Sequence, residues 1–124
     1  MLSVQEIDRR VRPLFTYVPD KVVHDRIEDW RSHEKAVRAG LKFKGDCDDF
    51  ALTCAVIAWE EGYALDQIRL IHCMDETGGS HLIVQVGELI LDNRMPEAVP
   101  ITFPRYTWIK SMSFAERGTW RNPV

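Results

Sequence analysis

Residues 81–92 have the sequence HLIVQVGELILD, and this stretch decides the fold of the second half of the chain. Two apolar runs flank Gly87-Glu88, a pair that fits a two-residue hairpin turn with glycine in the first position. In this register Val86 is the partner of Leu89, and every pair beyond them is then fixed. The stretch therefore predicts an antiparallel β-hairpin with one defined register.

This register brings an imidazole and a carboxylate together. Ile83 is the partner of Asp92, and His81 lies two residues before Ile83 on the same face of its strand. His81 and Asp92 are then diagonal neighbours, about 7–8 Å apart at the backbone, which their side chains can span. In a nucleophile–base–acid triad the carboxylate holds the imidazole in one tautomer and stabilises the imidazolium. The hairpin thus predicts two members of such a triad.

Two helices are predicted before residue 45. Ser3 and Glu6 form a capping-box pattern at the start of a short helix that ends near Pro13. Asp20 can cap a second helix, which Gly40 ends. The apolar stripe of this second helix consists of Val23, Ile27, Trp30 and Val37.

A third helix is predicted to begin after Gly45-Asp46 and to end at Gly62. The pattern then alternates in residues 68–74, so that this segment and the hairpin form three consecutive antiparallel strands, and a further strand is predicted at 106–110. N-terminal helices packed on a C-terminal antiparallel sheet form an α+β fold in two layers. A length of 124 residues, 45% of them apolar, fits a single domain that spans residues 1–124.

The composition indicates which classes of partner are not expected and in which cellular compartment the protein is expected. Sixteen basic and nineteen acidic side chains give a net charge of -3, so nucleic acid is not an expected partner. No apolar run approaches the ~18–20 residues that cross a bilayer. Residues 1–10 carry charged side chains where a secretory signal has its apolar core, and the cysteines show no disulfide-framework spacing. These features predict a cytoplasmic protein.

Cys47 is the best candidate for the nucleophile. It lies in the first turn of the third predicted helix, where the helix dipole and a nearby protonated histidine would lower the pKa of a thiol from about 8.5. Cys54 and Cys73 lie further inside a helix and a strand, and they are expected to pack as small apolar residues. The residues alone leave a second interpretation open, in which Cys47 belongs to the core and His81 is a strand histidine with a satisfied hydrogen bond.

The remaining polar residues carry weaker signals. His72 is the rival base, but it has no carboxylate opposite it in the hairpin register. His24 and His33 lie on a charged predicted helix and are expected to be solvated. Two short basic clusters are expected at the surface, Arg9-Arg10-Arg12 and Lys42-Lys44.

The motifs around the candidate triad resemble the bacterial transglutaminase-like cysteine peptidases, which include the LapG-type adhesin-cleaving proteases. The resemblance rests on GDCDDFA at residues 45–51, HLIV at 81–84 and LDN at 91–93, in this order. It implies a papain-like or transglutaminase-like core in which Cys47 is the nucleophile, His81 the general base and acid, and Asp92 its orienting group. It also implies a protein or peptide substrate. Because members are usually exported and longer, we expect this short chain to come from a phage or mobile element.

The implied reaction is hydrolysis of an amide bond. The Cys47 thiolate attacks the carbonyl, a thioester forms as His81 protonates the leaving amine, and water releases the acyl group. An amine acceptor in place of water would make the protein an acyltransferase that forms isopeptide bonds. A binding or structural module that keeps the fold without catalysis is the third hypothesis. The Cys47 backbone amide is the expected first oxyanion donor, and Trp30 is a weaker candidate for the second.

Carboxylates surround the candidate nucleophile. Asp46, Asp48 and Asp49 would raise the pKa of a neighbouring thiol, although acidic residues are also ordinary at a helix start. The adhesin-cleaving relatives use calcium near the cysteine, and the resemblance matches Asp46 and Asp48 to the acidic positions concerned. A bound cation would offset the negative field. Calcium is therefore a candidate ligand of Asp46 and Asp48, whereas the reaction itself requires no cofactor. The sequence does not define an oligomeric state.

Overall fold

The computed structural model describes residues 1–18, 32–102 and 106–114. Within these ranges the helices are α1 (Val4–Val11), α2 (Glu34–Arg38) and α3 (Cys47–Glu60). The strands are β1 (Phe15–Tyr17), β2 (Phe43–Gly45), β3 (Ile68–Met74), β4 (Ser80–Val86), β5 (Leu89–Leu91), β6 (Val99–Pro100) and β7 (Thr107–Ser113). An antiparallel sheet has the order β6-β5-β4-β3-β7, and β1 pairs with β2 in parallel. The α+β fold with helices before the sheet is confirmed.

The β4–β5 hairpin has the predicted register. Val86 pairs with Leu89, and the ladder continues in step from there to its end at Leu91. Gly87 has a φ of 62°, which the tight turn requires and which glycine adopts without a steric penalty. Asp92 therefore follows directly after the last paired residue of β5.

The helix starts follow the local sequence. The Ser3 hydroxyl accepts a hydrogen bond from the Glu6 N–H, and the Glu6 carboxylate accepts one from the Ser3 N–H, both at 3.1 Å. This capping box begins α1, and a 3₁₀ turn at Arg12–Leu14 ends the helical segment as predicted. No helix in the described ranges has the length and apolar character needed to cross a membrane.

The structure tests the predicted second helix only near its end. Residues 19–31, which include its proposed cap Asp20, lie outside the described residues. α2 begins at Glu34, because His33 has a non-helical backbone (φ -109°, ψ 26°) and its N–H donates to Thr53 Oγ1 at 2.9 Å. Gly40, with a φ of 72°, ends the segment as predicted.

Apolar residues form two clusters on opposite faces of the five-stranded sheet. The first lies between the sheet and helices α1 and α3 and includes Leu82 and Val84, whereas the second includes Cys73 and Ile83. Because side chains alternate along β4, the Cβ atom of His81 lies on the face of Ile83, near the start of the strand and beyond the end of the ladder with β5. The prediction that Cys54 and Cys73 pack in the interior is confirmed, since both are fully buried.

Strands β1 and β2 were not predicted. Each has three residues, too few for a periodic signal, and their parallel pairing joins segments far apart in sequence. The pairing sets Tyr17 beside Gly45, two residues before Cys47. The predicted C-terminal strand is present and extends further than expected, to Ser113.

Gly45 is a point of close approach between β2 and the first turn of α3. A Cβ atom at this position would lie 2.4 Å from the Asp49 Cβ, well inside van der Waals contact. The Gly45→Ala variant is therefore expected to lose about 1–3 kcal/mol in the free energy of unfolding, measured by urea denaturation. Lys44→Ala, at the exposed neighbouring position, is the control. Equal stability of Gly45→Ala and the native protein would show that α3 can shift at no cost.

Candidate active site

A capping box sets Cys47 at the first position of α3. The Asp46 carboxylate accepts hydrogen bonds from the N–H groups of Asp48 (3.0 Å) and Asp49 (3.4 Å). In return, the Asp49 carboxylate accepts from the Asp46 N–H at 3.0 Å. Cys47 is thus held in a defined place by local hydrogen bonds.

The surroundings of the Cys47 thiol disfavour its ionisation to a thiolate. It is partly buried and its Sγ lies 3.6 Å from Asp48 Oδ1, to which it donates. Burial is the largest influence and raises the pKa of Cys47 well above its ordinary value, and the charges of Asp48 and Asp46 raise it further. The expected lowering by the helix dipole and by His81 is therefore wrong for this arrangement, because burial and the carboxylates outweigh it.

Strand β4 meets Cys47 through its backbone. The N–H of Leu82, the residue after His81, interacts with the thiol and acts to lower its pKa, against the larger effect of burial. Within the described part of the chain, no hydrogen bond joins the Cys47 sulfur to the His81 ring; the thiol is bonded to Asp48 instead. The structure thus brings Cys47 to the strand of His81 without a direct bond between the two side chains. In enzymes without substrate, such catalytic contacts are often loose.

His81 and Asp92 form a direct and buried pair. His81 Nε2 lies 2.7 Å from Asp92 Oδ1, and the two side chains are 5% and 0% exposed. The contact is the one that the hairpin register predicts. Since an ionised carboxylate only accepts, Nε2 carries the proton in this contact, and Nδ1 holds the lone pair of the neutral imidazole. Nδ1 is then the nitrogen available as a base.

Two further donors satisfy the Asp92 carboxylate. The Arg94 N–H donates to Oδ1 at 2.9 Å, and the Tyr106 hydroxyl donates to Oδ2 at 2.7 Å. Burial acts to raise the pKa of Asp92, but its bond with His81, the charge of that ring and the two donors outweigh burial and hold the pKa below its ordinary value. Tyr106 was not identified from the sequence, because no spacing rule relates it to the hairpin; only the packing of β7 beside β3 brings it here.

Arg12 connects α1 to the loop that carries Asp92. Its guanidinium donates to both carboxylate oxygens of Asp8, at 2.6 and 3.1 Å, and to the Asp92 backbone carbonyl at 3.0 Å. It also donates to the Met95 carbonyl and lies 5.2 Å from the centre of the Phe50 ring. The prediction of a surface position is wrong for Arg12, because these partners draw its side chain inward.

Of the other histidines, His33 differs from expectation. His33 Nε2 lies 3.0 Å from Asp49 Oδ1, and its ring stacks on Phe43 with centroids 4.8 Å apart. The prediction of a solvated His33 is therefore wrong, because the ring is held against the start of α3. His72 Nε2 lies 2.5 Å from Ser80 Oγ. His24 and Trp30 lie outside the described residues.

The fit of a calcium ion depends on the oxygen atoms around Cys47. Calcium takes 6–8 oxygen ligands. In the ranges that the structure covers, no group of three or more histidine, cysteine, aspartate or glutamate side chains is placed to hold a metal. One oxygen of Asp46 already caps the helix. Asp46 and Asp48 alone therefore do not make a calcium site.

The sequence and the fold were compared with known proteins. Residues 1–123 match the family described as bacterial transglutaminase-like cysteine proteinase. No curated protein matches the chain. Among solved structures, calcium-bound LapG of Legionella pneumophila is similar with a TM-score of 0.68 at 21% identity, and EGTA-treated LapG with a TM-score of 0.69 at 20% identity.

These similarities cover most of this chain but not of LapG. Each spans 88% of this chain, and the shares of the LapG chain are 62% and 61%. The match therefore spans about three-fifths of the length of these LapG structures. At this level of identity the likeness shows a common transglutaminase-like fold.

Proposed function

The chain belongs to the bacterial transglutaminase-like cysteine proteinases, and on this basis we propose that it hydrolyses an amide bond of a protein or peptide through Cys47, His81 and Asp92. The buried 2.7 Å contact between His81 and Asp92 carries the proposal. A structural histidine needs no ionised partner, whereas a general base gains from one, because the carboxylate stabilises the imidazolium. The Leu82 amide at the Cys47 thiol supports the assignment of the nucleophile.

The proposed reaction begins with a proton transfer. His81 Nδ1 accepts the Cys47 proton, and Asp92 stabilises the resulting imidazolium through Nε2. The thiolate attacks the amide carbon, and the tetrahedral intermediate collapses to a thioester as His81 returns the proton to the leaving amine. Water, deprotonated by His81, then attacks the thioester, which releases the carboxylic acid and restores the thiol.

The Cys47 backbone N–H is suited to stabilise the oxyanion. It lies at the first position of α3, where a helix leaves its N–H groups without intrahelical partners. Asp46 takes up the N–H groups of Asp48 and Asp49, whereas the Cys47 N–H makes no hydrogen bond to any residue that the structure describes. We therefore assign it as the first oxyanion donor.

Selective alkylation tests the proposal. With iodoacetamide, mass spectrometry is expected to show Cys47 labelled faster than Cys54 and Cys73, because Cys47 alone of the three is partly exposed. Because exposure alone would give the same order, the decisive comparison is His81→Asn, which is expected to slow Cys47 labelling by about tenfold or more. Continued protection of Cys54 and Cys73 in this variant reports an intact fold. Cys47 labelling that does not depend on His81 would favour the non-catalytic module.

The charge of Asp48 is expected to lower the reactivity of the Cys47 thiol at neutral pH. Since burial first and then the Asp48 charge raise the pKa of Cys47, removal of that charge lowers this pKa and increases the thiolate fraction at every pH below it. Asp48→Asn is therefore expected to increase the Cys47 labelling rate about three- to tenfold at neutral pH in EGTA. Asp66→Asn, at an exposed position, is the charge-matched control. An unchanged rate in Asp48→Asn would show that the carboxylate does not act on the thiol.

We also propose that calcium binds beside Cys47 with Asp46 and Asp48 among its ligands. The unbalanced negative charge at the thiol supports this, as does the fact that a structurally similar LapG was determined with calcium. The remaining ligands would be backbone carbonyls and water. A bound divalent cation would supply positive charge that offsets the carboxylates.

Calcium and EGTA separate this part of the proposal from the triad. Calcium is expected to raise the thermal unfolding midpoint of the native protein, because binding stabilises the folded state. It is also expected to raise the Cys47 labelling rate, because the cation offsets the charge of the carboxylates beside the thiol. In Asp48→Asn both calcium effects should be lost. If chelation changes neither quantity in the native protein, calcium does not bind at this site, and the proposed catalytic role of Cys47 is unaffected.

A further inference from the structure

Tyr106 is a polar residue at the site that the proposed reaction does not use. Its hydroxyl lies 2.7 Å from Asp92 Oδ2, whereas His81 contacts the other carboxylate oxygen, Oδ1. Its ring also meets the His81 ring edge-on, with centroids 5.3 Å apart and planes 79° apart. One side chain therefore contacts both members of the buried pair.

The Tyr106 ring is itself held in place. The Arg94 guanidinium lies 5.7 Å from the centroid of the Tyr106 ring. The backbone N–H of Arg94 also donates to Asp92. Arg94 in turn forms ion pairs with Asp75, at 3.3 Å, and with Glu76 in the loop between β3 and β4. The phenol is thus fixed by groups from separate segments, which limits its freedom to follow a moving carboxylate.

We infer that Tyr106 is a positioning residue that holds the Asp92 carboxylate in the orientation that presents Oδ1 to His81. This inference rests on the proposed function. The terminal torsion of an aspartate is soft, so a carboxylate bound through one oxygen can rotate. Bonds to both oxygens, from Tyr106 at Oδ2 and from Arg94 at Oδ1, remove this freedom. Burial raises the pKa of Tyr106, which keeps the phenol protonated and able to donate at neutral pH.

A purely structural role makes a different prediction. If the hydroxyl only satisfied a buried acceptor, its loss would cost stability without changing the protonation of His81. If it orients Asp92, its loss weakens the contact between Asp92 and the imidazolium, which is then less stabilised relative to the neutral ring. Among the described residues, the titratable groups nearest to His81 are Asp92, Tyr106 and, from β3, Cys73, whose thiol donates to the His81 carbonyl. From α3, Cys47 meets the N–H of the neighbouring Leu82, with Asp48 beside it, and Arg94 lies behind Tyr106.

Tyr106→Phe in the full chain tests the inference, because it removes the hydroxyl and keeps the ring. One readout is the rate at which p-nitrophenyl acetate acylates Cys47, followed by intact mass. The other is the pH titration of the His81 ring by NMR. We expect acylation to slow about tenfold and the His81 midpoint to fall towards the value in Asp92→Asn. Tyr63→Phe, which removes a phenol hydrogen bond to the Leu2 carbonyl far from the site, should change neither.

The outcomes separate the inference from the proposed function. An acylation rate or a His81 midpoint equal to that of the native protein overturns the positioning role. A rise of the midpoint also overturns it, because Tyr106 would then only withdraw charge from Asp92. If Cys47 of the native protein is not acylated at all, the proposed function fails, and the His81 titration still decides the role of Tyr106.

Discussion

Asp92→Asn is expected to slow the acylation of Cys47 by p-nitrophenyl acetate by about 100- to 1,000-fold. An amide has nearly the size of the carboxylate, so its oxygen can still accept a hydrogen bond from Tyr106 or Arg94. It has no negative charge to stabilise an imidazolium, and when its NH₂ group faces Nε2 it favours the tautomer with the proton on Nδ1. The nitrogen that should accept the Cys47 proton is then blocked.

The control for this variant is a carboxylate outside the pair. Asp66→Asn removes a charge from an exposed position and is expected to leave the acylation rate unchanged. Urea denaturation of both variants shows whether lost activity reflects unfolding. A folded Asp92→Asn protein with the native rate would contradict the proposed role of Asp92 and leave the contact with His81 as a structural feature.

Arg12→Met is expected to cost about 3–5 kcal/mol in the free energy of unfolding. Asp8 is 2% exposed and Arg12 supplies its charge partner, so the variant leaves a buried carboxylate without compensation. The same change removes the donors to the backbone carbonyls of Asp92 and Met95. The loss should therefore exceed that of any exposed arginine on α1, as measured by urea denaturation.

Two comparisons make the Arg12 result specific. Arg10→Met, at an exposed position on α1, is expected to change the free energy of unfolding by less than about 0.5 kcal/mol. The double variant Asp8→Asn, Arg12→Met should lose less than the sum of the single variants, because no uncompensated charge remains. Additive losses would contradict a coupled buried pair.

The candidate site is assembled from parts of the chain that are distant in sequence. α3 carries Cys47, β4 carries His81 and the end of β5 leads to Asp92, while Arg12 and Tyr106 hold the Asp92 loop from the two ends of the chain. The side chains proposed for chemistry lie in strongly patterned segments. The residues that fix their geometry lie in segments with little pattern.

Local sequence patterns were sufficient to predict much of the fold. The capping boxes at Ser3 and Asp46 act within three residues, and the turn at Gly87 sets the register of the strands beside it. From that register followed the meeting of His81 and Asp92, because pairing in a hairpin depends only on the turn and the alternation of side chains.

Features that depend on long-range packing could not be predicted from the sequence. The expected lowering of the Cys47 pKa failed because burial, which no short motif specifies, is the largest influence on this thiol. The predicted helix through His33 failed because a hydrogen bond to Thr53, twenty residues away, holds the backbone outside the helical region.

The succession of helices before the five-stranded sheet, the hairpin register and the meeting of His81 with Asp92 were thus determined by the sequence itself, since these follow from interactions between near neighbours. Only the tertiary structure decided that Tyr106 and Arg12 hold Asp92, that β1 pairs with β2, and that the Cys47 thiol is partly buried. The physical reason is that these contacts arise when separate elements pack together, and the choice of partner depends on the shape and polarity of surfaces that no single segment contains.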